Sequence, residues 1–242
     1  MSPTWFGVVD GEARMAKASV PPAVARLVGD WQAGGQPRQQ GIRWPRARWL
    51  AAFPESADAL EALPVRLDRG AVRAACLGAA DSPDAAWQAF VVVMAWGYGT
   101  VGYGAWRTAR ILQRDAHAPE RLARVAQQLA EQGALDAYGV LGRACRLRGL
   151  GPAFVTKYLY FCPQSPAGPR ALILDRLVAR WLAKNVSISF NPGFWSLKTY
   201  GRYLDLLGSW AEALGAGSDE VEWCIFQAES GTTGNQWATA PT

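Results

Sequence analysis

Apolar residues recur every three or four positions along almost the whole chain, the spacing of one face of a helix. Val24, Leu27, Val28 and Trp31 predict a helix over Pro21–Gln32, and weaker periodicity predicts two short ones over Ser56–Leu63 and Arg69–Leu77. Ser82-Pro83-Asp84 is a helix-start signal, and the helix it opens runs through Trp87, Phe90, Val91 and Met94 to Trp96. Further helices are predicted over Glu120–Gln132, Asp136–Arg146 and Tyr200–Leu214, with Ser218 capping a last one over Asp219–Glu229. Alternating apolar and polar positions never extend beyond a few residues, and no internal repeat is visible. The pattern predicts an all-α protein.

The breaks in this pattern are equally informative. Met1–Thr4 and the residues from Gly231 onward read as chain ends, and Asn185–Trp195, with Pro192-Gly193, reads as a loop. Gly34–Trp49 is polar and irregular, with Arg38, Arg43, Arg46 and Arg48 interleaved with Trp44 and Trp49. Such a stretch could hold phosphates and stack a base, or its indoles could tuck into the core. Trp96–Gly104 holds four glycines, Gly97, Gly99, Gly102 and Gly104, but lacks the Gly-Lys-Ser/Thr ending and preceding strand of a phosphate loop. It reads as a helix junction where backbones approach closely, with Tyr103, Arg107 and Arg110 available to face a polyanion.

The stretch from Gly149 to Lys184 is the richest in chemistry. Gly149-Leu150-Gly151 offers two residues tolerant of positive φ, and Pro152 then suits a first helical turn. The helix predicted over Pro152–Phe161 is apolar or aromatic almost throughout, yet carries Lys157. Pro163, Pro166 and Pro169 forbid helix and make a loop. Asp175 then stands at an N-cap position before Leu177, Val178, Trp181 and Leu182. A turn of this kind presents free backbone N–H groups that suit a phosphate. The loop can fold back, so that the Lys157 amine and the Asp175 carboxylate meet.

Composition narrows the partners and the chemistry. At 242 residues, half of them hydrophobic, the chain can bury a large core in one domain or two closely packed lobes. The longest apolar run is Ala89–Ala95 and no leader pattern is present, so a soluble intracellular protein is expected. A net charge of +5 favours a polyanion. Four scattered cysteines suit reduced core thiols, and the single His117, expected in an interhelical loop, leaves no multi-histidine metal site. Neither a metal nor another cofactor is expected. Basic residues comprise twenty-one Arg and only Lys17, Lys157, Lys184 and Lys198. Because arginine cannot serve as a nucleophilic amine, a lysine within an aromatic helix hints that an amine is wanted there.

Gly149-Leu150-Gly151, Lys157 and Ile173-Leu174-Asp175-Arg176-Leu177-Val178 together resemble the helix-hairpin-helix DNA glycosylase superfamily, most of all the 8-oxoguanine DNA glycosylases, including the archaeal branch. The resemblance spans about a third of the chain in its motifs, and Lys157 lies about one helical turn beyond the superfamily's usual lysine. It implies two helical lobes, residues 1–84 with 185–242 and residues 85–184, the second carrying a helix-hairpin-helix motif. Asp175 and Lys157 are the implied catalytic pair, and Gly149, Leu150, Gly151, Arg146 and Arg148 the implied contacts to the DNA backbone. For the base pocket it implies Phe161 with Asp219 and Trp223, as in the archaeal branch, or Glu222 with Phe226, as in the other.

The implied activity is extrusion of a damaged or modified base from double-stranded DNA and cleavage of its N-glycosidic bond, with or without strand scission, by a monomer of the cytoplasm and nucleoid. The resemblance favours 8-oxoguanine. Removal of a bulky modified cytosine, such as glucosylated hydroxymethylcytosine in phage DNA, is an alternative that needs a roomier pocket, for which the small residues Gly215–Ser218 leave space. A non-catalytic helix-hairpin-helix DNA-binding module is the alternative of another class.

Overall fold

Helices account for nearly all the regular structure in the computed structural model, which describes residues 19–190 and 195–231. Met1–Thr4, Pro192-Gly193 and the segment after Gly231 lie outside the described residues. In chain order the elements are α1 (Pro22–Ala33), β1 (Ile42–Arg43), α2 (Arg46–Ala52), a 3₁₀ turn (Pro54–Ser56), α3 (Ala57–Glu61), β2 (Arg66–Leu67), α4 (Arg69–Ala75) and α5 (Pro83–Tyr98). They continue with α6 (Gly104–Leu112), α7 (Ala118–Gln132), α8 (Ala134–Gly142), α9 (Pro152–Phe161), α10 (Arg176–Val186), α11 (Leu197–Leu214) and α12 (Ser218–Ser230). The fold is all-α.

Side-chain caps start four of these helices. Asp68, Ser82, Asp175 and Ser196 each accept from backbone N–H groups in the first turn of the helix that follows, which satisfies donors with no intrahelical partner. The last helix departs from expectation. Ser218 lies inside α12, Gly217 is its N-cap, and the Glu220 carboxylate accepts from the Gly217 N–H at 2.7 Å.

α5 is the hub of the core. Val91, Val92, Val93, Met94 and Ala95 are all buried, so the helix is apolar on every side, and α4, α6, α7 and α9 pack around it. α12 is a second hub, carrying α1, α10 and α11. All four cysteines are buried and unpaired.

Gly34–Trp49 is more ordered than its sequence suggests. Ile42 pairs with Leu67 and Arg43 with Arg66 in a short antiparallel ladder, and α2 begins three residues later. Long-range partners make this order. The Trp44 indole donates to the Pro64 carbonyl at 3.1 Å, and Arg46 donates to the Leu63 carbonyl. Trp44 and Trp49 are both buried, so of the two readings of this stretch the core one holds for the indoles. α8 ends at Gly142, before the expected Arg146, because Cys145 and Leu147 turn into the core. His117 is exposed at the start of α7.

Candidate active site

The turn between α8 and α9 sets the position of everything downstream. Gly149 takes φ +95°, which a residue with a Cβ rarely adopts, whereas Gly151 is extended and caps α9. Leu147 is buried beneath the turn and anchors it, while Arg146 and Arg148 point outward. The seven residues from Val155 to Phe161 are all buried, Lys157 among them at 8 % exposure.

Lys157 is held by what surrounds its stem. A Cβ built on Gly97 would lie 2.7 Å from the Phe154 ring and 3.3 Å from Cδ of Lys157, so the end of α5 and α9 can meet only because residue 97 is glycine. The glycine-rich junction read in the sequence is realised at this contact and at Gly104, where a Cβ would lie 2.6 Å from the Tyr98 ring.

Asp175 is positioned by an unusual piece of backbone. Residues 171–174 are buried but belong to no helix or sheet, and side chains from two helices and from Gln164 in the preceding loop satisfy their polar groups. The Tyr200 hydroxyl donates to the Leu172 carbonyl at 2.9 Å and accepts from the Leu172 N–H at 3.2 Å. The Tyr203 hydroxyl donates to the Ile173 carbonyl at 2.8 Å, and Thr156 accepts from the Leu174 N–H at 3.2 Å. Leu174 thus delivers Asp175 at a fixed place.

There the two oxygens of Asp175 divide their work. Oδ1 accepts from the N–H groups of Leu177 and Val178 at 3.0 and 3.2 Å, capping α10, and Oδ2 lies 3.0 Å from Nζ of Lys157. Burial opposes an ionised carboxylate. The Lys157 ammonium and the two backbone donors outweigh that burial and hold the Asp175 pKa below its ordinary value.

This ion pair borders a cavity of about 230 Å³. Trp96, Phe154, Ile42 and Phe226 supply apolar walls, and Gln39, Arg69 and Glu222 supply polar ones. Of the two pairs on the last helix, Glu222 and Phe226 line the cavity, whereas Asp219 and Trp223 do not. Asp219 instead accepts from the Tyr160 hydroxyl at 3.3 Å, and Trp223 stacks against Phe226. Phe161 is not a wall of the cavity either. Its ring is buried edge-on to Trp96, one layer behind the wall. Gly215–Gly217 form the turn before α12, Ser218 opens that helix, and none of the four lines the cavity.

Arg69, absent from the residues that sequence reasoning selected, is the main addition. Its guanidinium spans Glu222 (Nη1 to Oε2 2.7 Å, Nη2 to Oε1 3.2 Å) and donates to the Tyr160 hydroxyl at 3.2 Å and to Oε1 of Gln39 at 3.1 Å. The rings of Trp96, Tyr160 and Trp223 lie within 5.0–5.9 Å of its Cζ. Burial opposes the guanidinium charge, but Glu222 and Tyr160 overcome it and raise the pKa of Arg69. For Glu222, burial wins over Arg69 and the carboxyl sits above its ordinary value. One sequence signal pointed here: Glu222 falls among Val221, Cys224 and Ile225 on the buried face of α12, and a buried acid needs a cation.

A helical body with a lysine–aspartate pair at the edge of an aromatic cleft has the form of a DNA glycosylase-like fold. The chain belongs to the family described as "Putative 8-oxoguanine DNA glycosylase OGG-like protein", whose profile matches residues 35–226 and so takes in every cavity residue named above. No curated protein and no solved structure matches the chain significantly. Membership implies a protein that acts on DNA. No helix among the described residues is long and apolar enough to cross a membrane.

Proposed function

We propose that the protein excises a modified base from double-stranded DNA by breaking its N-glycosidic bond, with Asp175 and Lys157 at the reacting sugar. The observation that carries this reading is the 3.0 Å contact between Nζ of Lys157 and Oδ2 of Asp175 beside an aromatic cavity. A cavity of this volume suits one extruded base, with Phe226 and Phe154 offering faces to stack it and Gln39, Arg69 and Glu222 offering polar groups to read it.

Cleavage develops positive charge on C1′, and an ionised carboxylate beside it stabilises that charge. The depressed pKa of Asp175 keeps this carboxylate ionised at neutral pH. Lys157, once deprotonated, is the nucleophile. Its nitrogen forms a bond to C1′ as the glycosidic bond breaks, and the base leaves with the electron pair and takes up a proton. Loss of a proton from the lysine nitrogen and opening of the sugar ring give a Schiff base. Water then releases an abasic site, or β-elimination cuts the strand. The helix–turn–helix of α8 and α9 serves as the hairpin that grips the strand, through the backbone N–H groups of Gly149 and Gly151 and the outward Arg146 and Arg148, whereas the Leu150 N–H is taken by the Leu147 carbonyl at 3.1 Å.

Family membership makes 8-oxoguanine the first substrate to test. Duplexes carrying 8-oxoguanine, uracil, an alkylated purine or glucosylated hydroxymethylcytosine are incubated with the protein and scored for abasic sites and borohydride-trapped adducts. Release of one base with a trapped adduct is expected. Release without trapping demotes Lys157 to a positioning group, and release from none of the duplexes while binding persists leaves a DNA-binding module.

A further inference from the structure

The outward side of α6 and its N-cap carry two exposed aromatic residues. Trp106 and Tyr103 are 59 % and 57 % exposed, while Ala105, Thr108, Ile111 and Leu112 on the opposite side are buried. Tyr103, Trp106, Arg107, Arg110 and Arg114 follow at intervals of three, one, three and four, which places them on one helical stripe. The Arg110 guanidinium lies over the Trp106 ring at 4.9 Å, and more than half of the Trp106 surface stays exposed. No Asp or Glu occurs from Ala85 to Arg114, so the stripe is cationic with no acid of its own segment to neutralise it.

The ends of this stripe meet the two parts of the site. At one end the Tyr103 ring is 5.8 Å from that of Tyr98, which lies 4.6 Å from the cavity wall residue Phe154. At the other, a Cβ on Gly149 would lie 3.5 Å from Arg114 Nη1 and from the Ile111 side chain. The nine residues of α6 rise about 13 Å, and Tyr103 and Arg114 flank its two ends, enough for a few nucleotides.

Resting on the excision reading above, we propose that this stripe is a second DNA contact joining the cavity to the α8–α9 turn. Trp106, backed by Arg110, stacks on a base left unpaired beside the extruded nucleotide, and Arg107 and Arg114 take backbone phosphates. A π-face accepts any base, and arginine on its far side holds the indole in place. A stripe of this charge fits a phosphate backbone and not an apolar partner.

The test uses binding, so that it is independent of base release. The full chain is titrated against a duplex carrying a stable abasic-site analogue opposite 2-aminopurine, over a range of salt. Trp106→Ala is expected to weaken binding roughly 10-fold and abolish the 2-aminopurine fluorescence change. Arg107→Ala with Arg114→Ala is expected to lower the slope of log affinity against log salt by about 2. All these side chains are exposed, so thermal melts should coincide with those of the parent. Unchanged affinity, slope and fluorescence in every variant of a parent that binds would overturn the inference and leave the excision reading intact. Loss of base release on Asp175→Asn, with the stripe effects retained, supports both. Absence of base release from the parent, with the stripe effects present, sinks the excision reading alone.

Discussion

The Arg69 guanidinium lies bidentate on Glu222, a carboxylate with no solvent exposure, and the two residues stand 153 positions apart in the chain. Pairs of this kind gain little net stability, because desolvation of both charges offsets their attraction. Removing one partner is another matter. Arg69→Ala is expected to cost about 3–5 kcal/mol and to lower the melting temperature by roughly 10 °C, whereas Arg69→Met with Glu222→Leu should recover most of that loss. If denaturant unfolding shows the double variant as stable as the parent while base release is lost, the pair serves recognition and not the fold.

At Asp175 the structural and the chemical roles can be separated. Asparagine caps a helix about as well as aspartate, so Asp175→Asn should leave stability within about 1 kcal/mol of the parent apart from the lost ion pair. Base release should fall by at least ~100-fold. Lys157→Gln should abolish the trapped adduct. Single-turnover kinetics on a duplex that the parent cleaves, with DNA affinity measured alongside, check both.

The hydroxyls that hold residues 171–174 make a test of positioning. Tyr200→Phe strands both the N–H and the C=O of Leu172, at a cost of about 1–3 kcal/mol for each buried group left unpaired. Tyr203→Phe strands one carbonyl and should cost less. Neither ring touches the cavity, so a fall in the rate of base release at unchanged DNA affinity reports the displacement of Asp175.

Acid titration should separate Asp175 from Glu222 by sign. The Asp175 pKa is depressed below 3.8, so its stabilisation is complete above about pH 4 and is lost as pH falls through the folded-state value. Glu222 is raised above 4.5, so between that pH and its folded-state value the native protein holds the extra proton, and stability falls as pH rises. Melting temperatures from pH 3 to 7 should lose the first dependence in Asp175→Asn and the second in Glu222→Gln.

Gly97→Ala inserts one methyl between two packed helices. The added carbon would meet the Phe154 ring and the Lys157 stem, so the expected cost is about 1–3 kcal/mol together with reduced base release. A crystal structure of the variant should show Phe154 turned into the cavity.

Local rules gave the helices and the acid at the head of α10, because apolar periodicity and capping depend on residues within a few positions of each other. They also placed Lys157 and Asp175 on either side of a loop that could fold back, and the structure brings these two together. The order within Gly34–Trp49, the extended segment before Asp175 and the choice of Glu222 and Phe226 over Asp219 and Trp223 were not legible. Each depends on partners far away in the chain: Pro64 for Trp44, Tyr200 for Leu172, Arg69 for Glu222. Residues on the same turn of α12 differ in direction by only a fraction of a rotation, and which of them faces a cavity is set by how α12 seats against α10 and α11. A buried charge pair is the extreme case, since neither half has a reason to be buried until tertiary packing supplies the other.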